Sequence, residues 1–212
     1  MIKAVIFDMD GVIIDSESVC DKTWQAALAE EGFSDDKDAI NKCRGTNYTD
    51  SCLILHELYG DDFPAEKFMA RASELFHQIE NTQGIPLMPF AKETIEYLAP
   101  KYTLALASST KEASVRRLLK DTGVLGYFKT LTCGDMVSHS KPDPEIYKLA
   151  CASIGIKPEE CAAIEDSPNG IKSAYAAGLK PVMVPDCMQP TEEIKRLCWK
   201  ICANLKELEN VL

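Results

Sequence analysis

The sequence predicts an α/β protein: a parallel sheet covered on both faces, with an all-helical block inserted after the first strand. Three observations carry this expectation. Short apolar runs alternate with longer stretches of helical periodicity over most of the 212 residues, which is the pattern of βαβ units. The runs are apolar throughout rather than alternating, as expected of parallel strands with no solvent-facing side. Between about residues 16 and 84 that alternation stops, and only helix patterns remain.

The first strand is Ala4–Phe7, and its run ends on Asp8-Met9-Asp10-Gly11. In the following block, Trp24, Ala27 and Leu28 recur at helical spacing, as do Phe68, Ala72, Leu75, Phe76 and Ile79. Asn81 to Pro86 has the turn chemistry of a return linker, so the expected division is 1–15 with 85–212 against a helical 16–84. The second strand is Thr103–Ala107, followed by Ser108 and a helix from Glu112 to Lys120. Leu131–Cys133, Ala162–Ile164 and Pro181–Val184 complete the set, with Pro181 expected to open its strand because it has no N–H for the ladder. Asp143 and Pro144 suit the N-cap and first residue of a helix running Glu145 to Ile154.

Composition narrows the function. A net charge of −10 argues against a nucleic-acid partner, since a phosphate backbone requires basic surface, but leaves room for a small phosphorylated ligand held by local positive potential. None of the nine cysteines forms a C-x-x-C pair, and no histidine stands near Cys198 and Cys202. They are therefore expected to be reduced, buried thiols in a cytoplasmic setting. No apolar stretch approaches the roughly 20 residues of a membrane span, so no membrane partner is expected. No single exposed apolar face stands out, which favours a monomer.

Four stations, three at strand ends and one in a loop, carry the candidate chemistry. Asp8 and Asp10 project to the same side of an extended chain, at the carboxyl end where open α/β sheets bind ligands. Like charges this close are costly without a cation, here Mg²⁺. A surface turn is the plain alternative; a calcium loop fails because Val12 stands where a third oxygen ligand is needed. At the second station Ser108, Ser109 and Thr110 meet the unpaired N–H groups of a helix start, a phosphate cradle or simply an N-cap. At the third, Lys141 sits in a proline-stiffened loop, suited to meet a phosphoryl oxygen or to hold two carboxylates apart; otherwise it is a solvated lysine. The fourth is Glu165-Asp166, a pair of hard-cation ligands in which Asp166 doubles as a candidate cap for a helix opened by Pro168.

The order D-x-D, Ser, K-P, E-D, with an insertion after the first strand, resembles the haloacid dehalogenase superfamily over essentially the whole chain, in its phosphatase and β-phosphoglucomutase-like branch. The resemblance implies a Rossmann-like, doubly wound parallel core with an inserted helical cap. It further implies Asp8 as nucleophile, Asp10 as general acid/base, and Ser108 and Lys141 as phosphoryl ligands. Metal ligation by Asp8, the Asp10 carbonyl and Asp166, with Glu165 in support, is implied likewise. Dehalogenases of the family lack the second acid of D-x-D, so Asp10 points to phosphoryl transfer on a small phosphorylated metabolite.

Mutases of the branch carry a histidine early in the cap, where Val19-Cys20-Asp21 stand here. Asp15-Ser16-Glu17 looks like the hinge of sugar-phosphate phosphatases, which makes Glu17 a candidate substrate contact and a phosphosugar isomerase the alternative. A phospho-ligand-binding protein without turnover is a further alternative, for which Asp10 has no use. Arg44 and Gly45 fall where relatives place a substrate-contacting loop, although a surface arginine between helices reads the same way. Phe90 replaces the glycine that relatives carry after the proline.

Overall fold

The computed structural model describes residues 1–33, 37–43, 48–120 and 122–212. The chain runs β1 (Ala4–Phe7), α1 (Ser16–Glu30), α2 (Lys37–Cys43), α3 (Tyr48–Tyr59), α4 (Ala65–Gln83), α5 (Ala91–Leu98), β2 (Thr103–Ser108), α6 (Glu112–Leu119) and β3 (Thr130–Cys133). It continues through α7 (Glu145–Ile154), β4 (Cys161–Glu165), α8 (Pro168–Ala176), β5 (Lys180–Met183), α9 (Glu192–Leu197), β6 (Lys200–Ile201) and α10 (Leu208–Val211). It divides into two compact units, residues 1–15 with 86–212 and residues 16–85.

In the first unit, six parallel strands lie in the order β3-β2-β1-β4-β5-β6. The chain fills one side of β1 with β2 and β3, then crosses to place β4 on the other. The ends of β1 and β4 therefore flank the switch point, where doubly wound sheets open a crevice for ligands. Ala4–Phe7 and Cys161–Glu165 are buried along their whole length, which explains their unbroken apolar sequence. On one face Ile6, Ala105 and Ala163 pack with Ile146, Tyr147 and Ala150 of α7 and Ala174 of α8. Elsewhere Phe7 meets Phe128 edge-on, with ring centroids 6.1 Å apart.

Several boundaries differ from expectation for local reasons. Lys180 opens β5 and Pro181 is its second residue, where its carbonyl still accepts from the Trp199 N–H at 2.7 Å. The two-residue β6 has no apolar run, because both its residues are exposed at the sheet edge, and the sequence gives no sign of it. α4 continues through Asn81–Gln83 and ends at Gly84, whose φ of +75° a side chain would resist, so the return linker is shorter than expected. Ser167, not Asp166, caps α8, accepting from the Gly170 N–H at 3.1 Å. Phe90 precedes α5 at φ +66°, the one non-glycine residue at positive φ among those described, with its ring beneath the Lys206 ammonium. A glycine would adopt that conformation without strain.

The second unit is built only of helices among its described residues. Trp24 and Leu28 of α1, Leu55 of α3, Phe63, and Phe68 and Ala72 of α4 form its core, with Trp24 and Phe68 edge-on at 5.1 Å. No helix among the described residues is long and apolar enough to cross a membrane.

Candidate active site

Strand register assembles the site. Phe7 lies level with Ile164 of β4 and Leu106 of β2, so the next residue of each strand falls at one height: Asp8, Glu165 and Ala107. The Asp8 N–H donates to the Ile164 carbonyl at 2.9 Å, which carries the ladder one residue past β1 and fixes where the carboxylate starts. Gly11 then turns the chain at φ +72°. A Cβ there would lie 2.5 Å from Asp166 Oδ2, so glycine also makes room for the Asp166 carboxylate against this turn.

One oxygen each of Asp8, Glu165 and Asp166 lies within 4.8 Å of the others. Lys141 reaches into this cluster with a side chain only 8% exposed, so it is no solvated loop lysine. Its ammonium donates to Asp8 Oδ1 at 2.5 Å, to Glu165 Oε1 at 2.7 Å and to the Ala107 carbonyl at 3.1 Å. Those three bonds occupy all three of its donors. The ammonium thus lies between two carboxylates. The loop carrying it is braced by Glu145, which accepts from the Ser138 and His139 N–H groups at 3.0 and 2.9 Å. Asp143 accepts from the Glu145 N–H at 2.9 Å, so it caps α7 from one residue earlier than the helix boundary suggests. The nearby grouping of His139, Asp143 and a half-buried Glu145 is engaged in this bracing.

Burial is the largest influence on Asp8 and pushes its carboxyl up to about 8; Glu165 and Asp10 add to it, and Lys141 pulls the other way. For Lys141 burial favours the neutral amine, but Asp8 and Glu165 overcome it and hold the ammonium charged. The cluster thus carries more negative charge than one ammonium balances. Three hard oxygen donors in deficit of positive charge fit a hard divalent cation.

The remaining candidates divide. Thr110 donates its hydroxyl to Asp10 Oδ2 at 3.0 Å, so it orients the second acid of D-x-D. Ser108 is fully buried and its Oγ accepts from the Thr110 N–H at 3.1 Å; it does not cap α6, which Lys111 precedes. Ser109 is exposed at the same strand end. Glu17 lies half-buried in the first turn of α1, in the helical unit. Arg44 and Gly45 lie outside the described residues. The cysteines are free thiols, six buried and two half-buried, while Cys187 is exposed against expectation. One site residue escaped the sequence reading altogether: Tyr147, whose hydroxyl donates to Glu165 Oε1 at 2.6 Å.

Known proteins share this arrangement of chain. A phosphorylated carbohydrates phosphatase of Thermotoga maritima is 30% identical over 181 residues, spanning 85% of this chain and 83% of that protein. The fructose-1-phosphate phosphatase YqaB of Escherichia coli is 27% identical over 182 residues, 85% of this chain and 95% of its own. Among solved structures, a HAD family hydrolase from Deinococcus radiodurans with bound phosphate and sodium superimposes with a TM-score of 0.82 at 25% identity, covering 99% of this chain and 94% of that one. The sequence matches one family's model from residue 5 to residue 184, and the chain belongs to that family: the haloacid dehalogenase-like hydrolases.

Proposed function

We propose that this protein is a phosphatase that hydrolyses a small phosphomonoester, a sugar phosphate, through a phosphoryl group carried on Asp8. The observation that carries the reading is the pairing of a buried Asp8, gripped by Lys141, with a second acid two residues on that Thr110 holds in place. The sugar-phosphate class is supported by the names of the two relatives, a carbohydrate-phosphate and a fructose-1-phosphate phosphatase.

The chain's own groups account for each proton and bond. An Asp8 oxygen attacks phosphorus and the bond to the sugar oxygen breaks; Asp10, protonated, gives its proton to that leaving oxygen. Asp10, now a carboxylate, takes a proton from water, whose oxygen attacks phosphorus. The bond to Asp8 breaks, releasing inorganic phosphate and restoring the carboxylate. As Asp8 passes its negative charge into the new bond, Lys141 exchanges its Asp8 hydrogen bond for a phosphoryl oxygen, while Glu165 and the Ala107 carbonyl keep the ammonium in place. Asp8, Asp166 and the Asp10 carbonyl, with Glu165 beside them, are the groups that would hold Mg²⁺. When bound, Mg²⁺ neutralises charge that would otherwise repel phosphate from carboxylate. The helical unit would act as the cap, with Glu17, Arg44 and Gly45 as its candidate substrate contacts.

The test is a panel of sugar phosphates incubated with and without Mg²⁺, with both inorganic phosphate and the sugar product measured. Metal-dependent phosphate release is expected. Isomerised sugar phosphate without phosphate release would assign a mutase, and binding without either product would contradict turnover.

A further inference from the structure

We propose that Tyr147 is a positioning residue for the nucleophile: its hydroxyl fixes Glu165, and through Glu165 it keeps Lys141 on Asp8. The inference rests on the phosphatase reading of the site and adds to it a residue that none of the strand-end motifs contains.

Tyr147 is the third residue of α7 and is fully buried on the apolar face that packs against the sheet. A hydroxyl in such a layer is a liability unless it is hydrogen-bonded, and phenylalanine fills the same space without one. Here the hydroxyl is engaged: it donates to Glu165 Oε1, the same oxygen that accepts from Lys141. The ring also lies 5.1 Å from the Lys141 ammonium, so Tyr147 touches both partners of that ion pair. Burial raises its hydroxyl well above the usual tyrosine range, so it stays protonated and acts as a donor.

The carboxylate is enclosed from other directions too. A Cβ on Gly170 would stand 1.9 Å from the Glu165 carboxylate, so only a glycine permits the seat. Ser167 donates to Glu165 Oε2 at 3.3 Å. Glu165 is itself fully buried. A line of bonds, Tyr147 to Glu165 to Lys141 to Asp8, thus runs from the apolar core to the nucleophile. Without the hydroxyl, Glu165 Oε1 keeps Lys141 as its donor, only the longer Ser167 bond still holds the other oxygen, and the ammonium loses the firmly fixed anion that aims it. Partners behind metal-site and catalytic groups typically change metal affinity by about 10- to 100-fold when removed.

The experiment compares the full-length protein with Tyr147→Phe, reading kcat and KM on a sugar phosphate that the unaltered protein hydrolyses, and Mn²⁺ affinity by electron paramagnetic resonance with the metal alone. We expect kcat and Mn²⁺ affinity each to fall by about tenfold or more while KM stays within about twofold. In a Glu165→Gln background the same change is expected to move Mn²⁺ affinity by less than about twofold, because the hydroxyl acts through that carboxylate. Ile146→Val, on the same helix and in the same core, measures what a packing loss alone does; it should lower the melting temperature and leave Mn²⁺ affinity unchanged. Unchanged kcat and Mn²⁺ affinity in Tyr147→Phe, or full additivity with Glu165→Gln, would overturn the proposal. If Tyr147→Phe does not fold, Gly170→Ala displaces the same carboxylate, and unchanged Mn²⁺ affinity there overturns it equally. Absence of phosphate release by the unaltered protein would instead strike at the functional reading.

Discussion

The two units treat their buried polar groups differently. In the helical unit two of them have a partner within their own helix: Thr23 donates to the Cys20 carbonyl at 2.8 Å, and Glu80 meets the His77 imidazole at 2.8 Å, each three residues away. At the strand ends of the sheet unit the charged groups are joined across the chain. Lys141 is 133 residues from Asp8 and 24 from Glu165, yet it bonds both. Local partners satisfy a helix and could be removed without disturbing its neighbours. Partners brought together from three strand ends and a loop form only when the whole sheet forms, and they concentrate like charge where an apolar core would be more stable. The difference separates a scaffold whose interior serves packing from one whose interior is organised around a reaction.

Breaking this contrast should give effects of different kinds. Asp8→Asn should reduce kcat by at least about a thousandfold with the circular dichroism spectrum unchanged, because the proposed nucleophile is lost while its volume is kept. Trp24→Ala should destabilise the helical unit by about 3–5 kcal/mol in a urea titration, through loss of a core aromatic that makes no contribution to the site's charge. The third effect is a pH dependence. Asp8 is raised on folding from 3.8 to about 8, so its protonated form is the one folding favours. That contribution is intact below about pH 4 and is lost as pH rises toward 8. Melting temperatures of chelator-treated protein should therefore decline over this range more than those of protein in Mg²⁺, and identical profiles would argue against the charge deficit. The smallest effect is expected at Phe90→Gly, which relieves a left-handed backbone at the cost of chain entropy and should change stability by no more than about 1 kcal/mol.

How far the molecule was legible in its sequence follows from the same contrast. Parallel strands buried on both faces announce themselves as apolar runs, and a charge at the end of such a run is conspicuous; Asp8, Glu165 and Asp166 were visible this way, and Lys141 through the prolines of its loop. The cluster they form was implied by motif order, but its bonds were not. Nothing in Ser-Ser-Thr says that Thr110 turns to Asp10 while Ser108 stays buried. Tyr147 was hidden because, on a helix face with Ile146 and Ala150, it reads as one more apolar residue. β6 was hidden for the opposite reason: two exposed residues leave no periodicity to detect. The same holds for cap specificity, since Glu17 is one acid among many in a helix and Arg44 has no neighbouring pattern to give it meaning.

The central claim is a covalent phosphoryl group on Asp8, and borohydride trapping tests it most directly. An acyl phosphate is reduced under conditions that leave free carboxylates untouched, so protein quenched during turnover with Mg²⁺ and a sugar phosphate should yield homoserine at position 8, read by peptide mass spectrometry. Omitting the substrate should leave Asp8 as aspartate. Phosphate release at full rate with no reduction at position 8, or with reduction at another carboxylate, would contradict the account.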